Sequence, residues 1–102
     1  MNEEVNIRLL TLNGCDYCTW LKSELDNEGI EYVNIDADVF SEFTESVETL
    51  YQTNHYPVVF IEYKDKVVAL LSETRLEPSD NVRIFNTIPE LIGMIKQYKN
   101  EI

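Results

Sequence analysis

The sequence predicts an α/β fold in the order strand, helix, strand, helix, hairpin, helix. Three observations point to it. Runs with strand-like alternation or β-branched composition trade places with segments whose apolar residues recur at three and four. Gly and Pro punctuate the junctions. A length of 102 residues, with 44% hydrophobic and 11% aromatic residues, suits one core. No repeat, low-complexity tract or Gly/Ser/Pro-rich linker divides the chain, so residues 1–102 are expected to form a single domain.

Residues 5–12 alternate Val5, Ile7 and Leu9 against Asn6 and Arg8, a strand that stops at Asn13-Gly14. Cys18, Leu21 and Leu25 then recur at helical spacing, with Tyr17 and Trp20 beside them and Gly29 as a left-handed stop. Residues 30–36 place Tyr32, Val33 and Ile35 in a second strand, after which Asp36 or Asp38 offers an N-cap. Phe40, Phe43, Val47, Leu50 and Tyr51 form the expected apolar face of a second helix, with Glu42, Glu45 and Glu48 on its solvated side. Tyr56-Pro57 breaks that helix, and residues 58–63 and 66–72 make a hairpin joined near Lys64-Asp65. Residues 73–86 read as a long loop in which Val82 to Phe85 could add a short edge strand. Thr87 and Glu90 form a capping box, Pro89 fits the first turn, and Ile88, Leu91, Ile92, Ile95 and Tyr98 face the core from a last helix.

Composition excludes some functions. Nineteen acidic against 8 basic residues give a net charge of −11, which opposes binding to nucleic acid or an anionic membrane surface. No stretch approaches the roughly 20 apolar residues of a bilayer span, and Met1 to Val5 has neither a cationic nor an apolar leader region. The two cysteines, Cys15 and Cys18, are too few for a disulfide scaffold, so a reducing compartment such as the cytoplasm is expected.

A Cys-x-x-Cys pair after a strand and a short turn, at a helix start, brings two sulfurs onto one helix face. Cys15 would sit by unpaired N–H groups and the positive helix end, which favour thiolate, the attacking species. Cys18, one turn further in, would be placed to resolve a mixed disulfide. Asp16 between them should destabilise the Cys15 thiolate and make the pair more reducing. Two plainer readings compete: half of a zinc site, for which His55 is the single remaining imidazole, and two ordinary small core residues. His55 itself suits a helix C-terminus, while Tyr17 and Trp20 could frame the sulfur as an apolar platform.

The arrangement resembles the glutaredoxins over nearly the whole chain. Cys15-Asp16-Tyr17-Cys18 is similar to the family's Cys-Pro-Tyr-Cys, with Tyr17 matching and Asp16 departing, and His55-Tyr56-Pro57 falls where the family carries a cis proline opening the third strand. The resemblance implies a thioredoxin-like fold, a central four-stranded mixed sheet with three flanking helices in the order β-α-β-α-β-β-α. It implies that Pro57 is cis beside the cysteines and that the Tyr56 backbone pairs with substrate as an added strand. The implied site is thus Cys15 and Cys18 for catalysis, with Asp16, Tyr17, Tyr56 and Pro57 for substrate binding and no metal.

The implied activity is dithiol reduction of protein disulfides or glutathione mixed disulfides by a monomer without bound cofactor, with glutathione as a possible co-substrate. The departures bear on the reductant. The family's Lys three residues before the first cysteine is Leu12 here, and its Gly-Gly pair after the hairpin is missing from residues 67–74. Anionic glutathione is expected to bind weakly unless Lys22, Arg75 or Arg83 substitutes. A thioredoxin-like donor fed by a reductase, for example serving ribonucleotide reductase, stands beside the first reading. An iron-sulfur protein and a redox-silent binding module are further alternatives.

Overall fold

The computed structural model describes residues 5–100; the chain start inspected above for a leader lies outside them, as do residues 101–102. The elements are β1 (Asn6–Thr11), α1 (Asp16–Asn27), β2 (Val33–Asp36), α2 (Ser41–Tyr51), β3 (Val58–Tyr63), β4 (Lys66–Leu71), β5 (Val82–Ile84) and α3 (Ile88–Asn100). The strands form one mixed sheet in the order β2-β1-β3-β4-β5. β1 runs parallel to β2 and antiparallel to β3, β3 pairs antiparallel with β4, and β4 pairs parallel with β5.

The sheet therefore has five strands, not the four expected. The extra one is the short edge segment inside 73–86. It forms because Val82 and Ile84 can sit opposite Ala69 and Leu71, where Val82 is buried, and because Ser79 N donates to Val82 O at 2.8 Å and Asn81 N to Ser79 Oγ at 3.2 Å just before it. Asn81 O accepts from Ala69 N at 2.8 Å and Leu71 O from Phe85 N at 3.0 Å, closing the ladder at both ends.

Period-two alternation divides the core into two layers. Ile7, Leu9, Val59, Ile61, Val68 and Leu70 face Leu21 and Leu25 of α1 and the apolar stripe of α3. Leu10, Val58, Phe60, Ala69 and Leu71 face Val47 of α2. A sheet covered on both faces explains why β3 and β4 read as nearly continuous apolar runs.

The helix boundaries show how local chemistry sets them. α1 ends in a Schellman motif: Gly29, at φ 69°, donates to Asp26 O at 3.1 Å, and Ile30 N donates to Leu25 O at 2.9 Å. The hairpin turn places Lys64 and Asp65 at φ 52° and 60°, the left-handed pair of a type I′ turn. At α3, Glu90 N donates to Thr87 Oγ1 at 3.2 Å, while Glu90 Oε1 accepts from Asn86 N at 2.7 Å, one residue ahead of a standard capping box.

α2 departs most from expectation. Its inward stripe is Thr44, Val47, Glu48 and Tyr51, at the spacing three, one, three, whereas Phe40, Phe43 and Leu50 are exposed. Thr44 sets this rotation, because its hydroxyl lies 2.8 Å from Phe40 O and 3.1 Å from Ala37 O and pins the helix start to the end of β2. Asp36 does not cap α2: its carboxylate accepts from Asp38 N at 2.8 Å in an Asx turn, and Phe40 holds the N-cap position without a side-chain bond. Nor does Tyr56-Pro57 end the helix, which stops at Gln52 in the left-handed region.

Candidate active site

The sheet topology builds the site. Because β1 is parallel to β2 and antiparallel to β3, the chain leaving β1 and the chain entering β3 meet at one sheet end, where Leu10 pairs with Val58. Gly14, at φ 81°, turns the first chain into α1, and Cys15 becomes its N-cap. Thr19 N and Thr19 Oγ1 both bond Cys15 O, at 3.2 and 3.3 Å, which seats the first turn.

The two sulfurs are joined in a disulfide, with a Cα–Cα distance of 5.2 Å. They are not equivalent. Cys15 is half-buried and Cys18 is 2% exposed. Cys18 N donates to Cys15 Sγ at 3.1 Å, so the N-cap contact that Ser or Asp would make is made here by sulfur. An orphan helix N–H aimed at Sγ favours the thiolate of the reduced protein. On its other side Cys15 Sγ stands 3.7 Å from Tyr56 O.

The remaining residues expected at the site fall around this pair. Asp16 is the first residue of α1 and is exposed. Tyr17 is 60% exposed and stacks on exposed Trp20, with ring centroids 6.3 Å apart, giving an aromatic face one turn along α1. Pro57 is buried behind a cis Tyr56-Pro57 bond. Tyr56 presents its carbonyl to the sulfur but sends its side chain to α2, where the hydroxyl donates to Glu48 Oε2 at 2.8 Å. Burial, then the hydrogen bond and charge of Glu48, then the charge of Asp38 push the Tyr56 phenol up to about 12.

His55 does not cap α2. The helix has already ended, and the imidazole instead pairs with Glu73 at 2.8 Å. The start of the 73–86 segment does the capping: Thr74 Oγ1 donates to Tyr51 O and Arg75 N to Gln52 O at 3.3 Å, while Leu76 packs on the second core layer. Arg83, considered above as an anion ligand, lies 5.7 Å over the Tyr98 ring and donates to its hydroxyl at 3.3 Å. Leu12, three residues before Cys15, is 38% exposed. Among the described residues no group of three or more His, Cys, Asp and Glu side chains is arranged to hold a metal ion. Nor is any helix among them long and apolar enough to cross a membrane.

The reading from sequence missed Glu73 and Thr74 and put Glu48 on the solvated side with Glu42 and Glu45, whereas Glu48 lies in the inward stripe, four residues after Thr44 and three before Tyr51.

Comparison with known proteins gives these arrangements a context. A family model described as Glutaredoxin matches residues 7–68. N-acetyl-S-hydroxy-L-cysteine reductase of Bacillus subtilis (strain 168) is 33% identical over 61 residues, which cover 60% of this chain and 66% of that protein, a little under two thirds of its length. The solution structure of glutaredoxin from Brucella melitensis is 29% identical and aligns over 54% of this chain and 60% of that one, with a TM-score of 0.47. A thioredoxin-2 from a malaria parasite aligns over 95% of this chain and 85% of its own, at 19% identity and a TM-score of 0.54. A further malarial protein aligns over 91% and 94%, at 19% identity and a TM-score of 0.51. The thioredoxin-2 match shows the thioredoxin-like fold.

Proposed function

The chain belongs to the glutaredoxin family of thiol oxidoreductases, and from the unequal setting of its two sulfurs we propose that it reduces disulfides by a dithiol mechanism in which Cys15 attacks and Cys18 resolves. The observation that carries this is the Cys18 N–H donated to Cys15 Sγ at 3.1 Å, with Cys15 at the exposed helix start and Cys18 sealed beneath it. In the reduced protein the Cys15 thiolate attacks one sulfur of a substrate disulfide. One substrate thiolate leaves and a mixed disulfide forms on Cys15. Cys18 then loses its proton and attacks Cys15 Sγ, expelling the second substrate thiolate and leaving the Cys15–Cys18 disulfide. Two electrons from a pair of external thiols, or from a reductase, return it to the dithiol.

The same chemistry accommodates the substrate named for the Bacillus relative. Attack of Cys15 on the sulfur of an S-hydroxy cysteine derivative would release water and form the same mixed disulfide, which Cys18 would resolve. In either case the Tyr56 backbone, beside buried Pro57, would pair with the substrate, and Tyr17 and Trp20 would support it. Exposed Asp16 at the helix start adds negative charge beside Cys15. A dithiol that must be kept reduced is suited to a reducing compartment such as the cytoplasm.

Cys15→Ser should abolish turnover of a peptide disulfide, and Cys18→Ser should leave a trapped mixed disulfide on Cys15 visible by mass spectrometry. A Cys15→Ser protein that still turns over would overturn the assignment. Equilibration in glutathione buffers then separates the reductants. A trapped glutathione adduct and a potential of roughly −200 to −230 mV place the protein on glutathione. A value nearer roughly −270 mV with little adduct favours a reductase. No reversible disulfide at all would leave a redox-silent binding module.

A further inference from the structure

Tyr56 is the one residue whose backbone reaches the reactive sulfur from outside α1, at 3.7 Å among the described residues. The peptide has few restraints of its own. Pro57 has no N–H to donate, and the Tyr56 N–H has no hydrogen-bond partner among the described residues. Upstream, His55 is tied by its N–H to Thr53 Oγ1 at 3.3 Å and by its ring to Glu73. The polar anchor of Tyr56 itself is its hydroxyl, which donates to Glu48 Oε2 at 2.8 Å.

Glu48 is set apart from its neighbours. Glu42 and Glu45 on the same helix are exposed, whereas Glu48 is half-buried in the inward stripe beside Val47. A carboxylate turned inward loses hydration and needs a donor in return. Tyr56 supplies it, and burial first, then this bond, makes the phenol hard to ionise.

We propose that Glu48 is a positioning residue for Cys15, holding the Tyr56 side chain so that the Tyr56 backbone is fixed against the sulfur. The inference rests on the reading that Cys15 is the attacking thiol. Two groups face Sγ with opposite effect. The Cys18 N–H favours thiolate, and the Tyr56 carbonyl, which can only accept, favours thiol. Anchoring Tyr56 through α2 fixes that balance and keeps the same backbone in place for an incoming substrate. Without the anchor the carbonyl withdraws, the Cys15 pKa falls, and substrate docking weakens.

The test uses Glu48→Ala, Glu48→Gln, Tyr56→Phe and the double variant Glu48→Ala/Tyr56→Phe. Cys15 thiolate absorbance is titrated in a Cys18→Ser background, which needs no substrate. kcat and KM are measured on a peptide disulfide with both cysteines present, and thermal melts verify folding. Glu48→Ala and Tyr56→Phe should each lower the Cys15 pKa and raise KM roughly three- to tenfold, the effect of one hydrogen bond, with kcat changed less. The double variant should be no worse than either single one. Gln can still accept from the hydroxyl, so Glu48→Gln should stay within about twofold of wild type.

If Gln behaves like Ala, the charge of Glu48 acts rather than its hydrogen bond, and the proposal fails. Additive effects of Glu48→Ala and Tyr56→Phe, or an unmoved Cys15 pKa in both, overturn it as well. A Cys15 pKa that responds as expected in a protein without disulfide turnover keeps the positioning role and refutes the dithiol reading.

Discussion

At Cys15 the helix start aims the Cys18 N–H at the sulfur, and the Tyr56 carbonyl stands 3.7 Å away on the other side. The burial of the Tyr56 phenol, together with its tie to Glu48, should also be visible in alkaline stability. The Tyr56 phenol titrates near 10.0 when unfolded and is pushed up to about 12 when folded. Above pH 10 the unfolded chain loses this proton first, so the folded state holds more protons and stability must fall as pH rises. The contribution is whole below pH 10 and is lost between about pH 10 and 12. Urea denaturation across that window should show wild type losing its advantage over Tyr56→Phe, and a constant difference would dissociate the hydrogen bond from stability. At this scale the sequence reading put Cys15 and Cys18 at a helix start and Pro57 behind a cis bond, where the structure has them, because spacing and backbone chemistry carry that information. It failed for Glu48, because a carboxylate turned inward and one left in water look alike until the helix has a rotation.

Helix rotation belongs to the next scale. α1 and α3 were legible because each lays one stripe on a sheet face that the other helps to cover, and the apolar positions settle which stripe that is. α2 meets the opposite face as its single helix, and its rotation is set by the Thr44 hydroxyl contacts with Ala37 and Phe40. A polar residue therefore faces inward while Phe43 and Leu50 stay outside, so of the stripe that hydrophobic periodicity suggests only Val47 and Tyr51 turn to the core. α3 carries a different irregularity. Gly93 sits mid-helix and exposed, and a Cβ there would meet nothing within 4 Å. Gly93→Ala should stabilise the protein by about 0.5 to 1 kcal/mol, because the backbone entropy lost on folding shrinks without any contact being disturbed. Chemical denaturation of both proteins checks this, and a destabilised Ala variant would show that the exposed position is used.

For the whole molecule, the net charge of −11 acts on anything that approaches the sulfur. At low ionic strength the protein's field should slow an anionic disulfide such as glutathione disulfide and speed a cationic one such as cystamine. Raising salt from about 10 mM to 0.15 M should bring the two rate constants together, and parallel salt responses would show that the field does not reach Cys15. Up to the hairpin the order of the elements was readable from strand-like alternation, helical spacing and the Gly and Pro junctions. The fifth strand was not secured by that reading, since three residues carry too little pattern to distinguish a strand from a loop, and their pairing depends on β4 being there to receive them.

That fifth strand also changes the outline of the sheet. The two outer strands, β2 and β5, are the shortest, with four and three residues, while each inner strand has six. Long bare edges are where sheets zip together into aggregates, and short ones limit that hazard. The backbone proposed to receive substrate lies apart from both edges, as a single peptide at Tyr56. Such a stub is too short to nucleate a ladder between copies, and in the proposed mechanism an incoming strand would gain lasting hold only through the bond to sulfur. Contact would then be temporary by the shape of the perimeter: once the proposed mixed disulfide resolved, little would remain to keep the visitor.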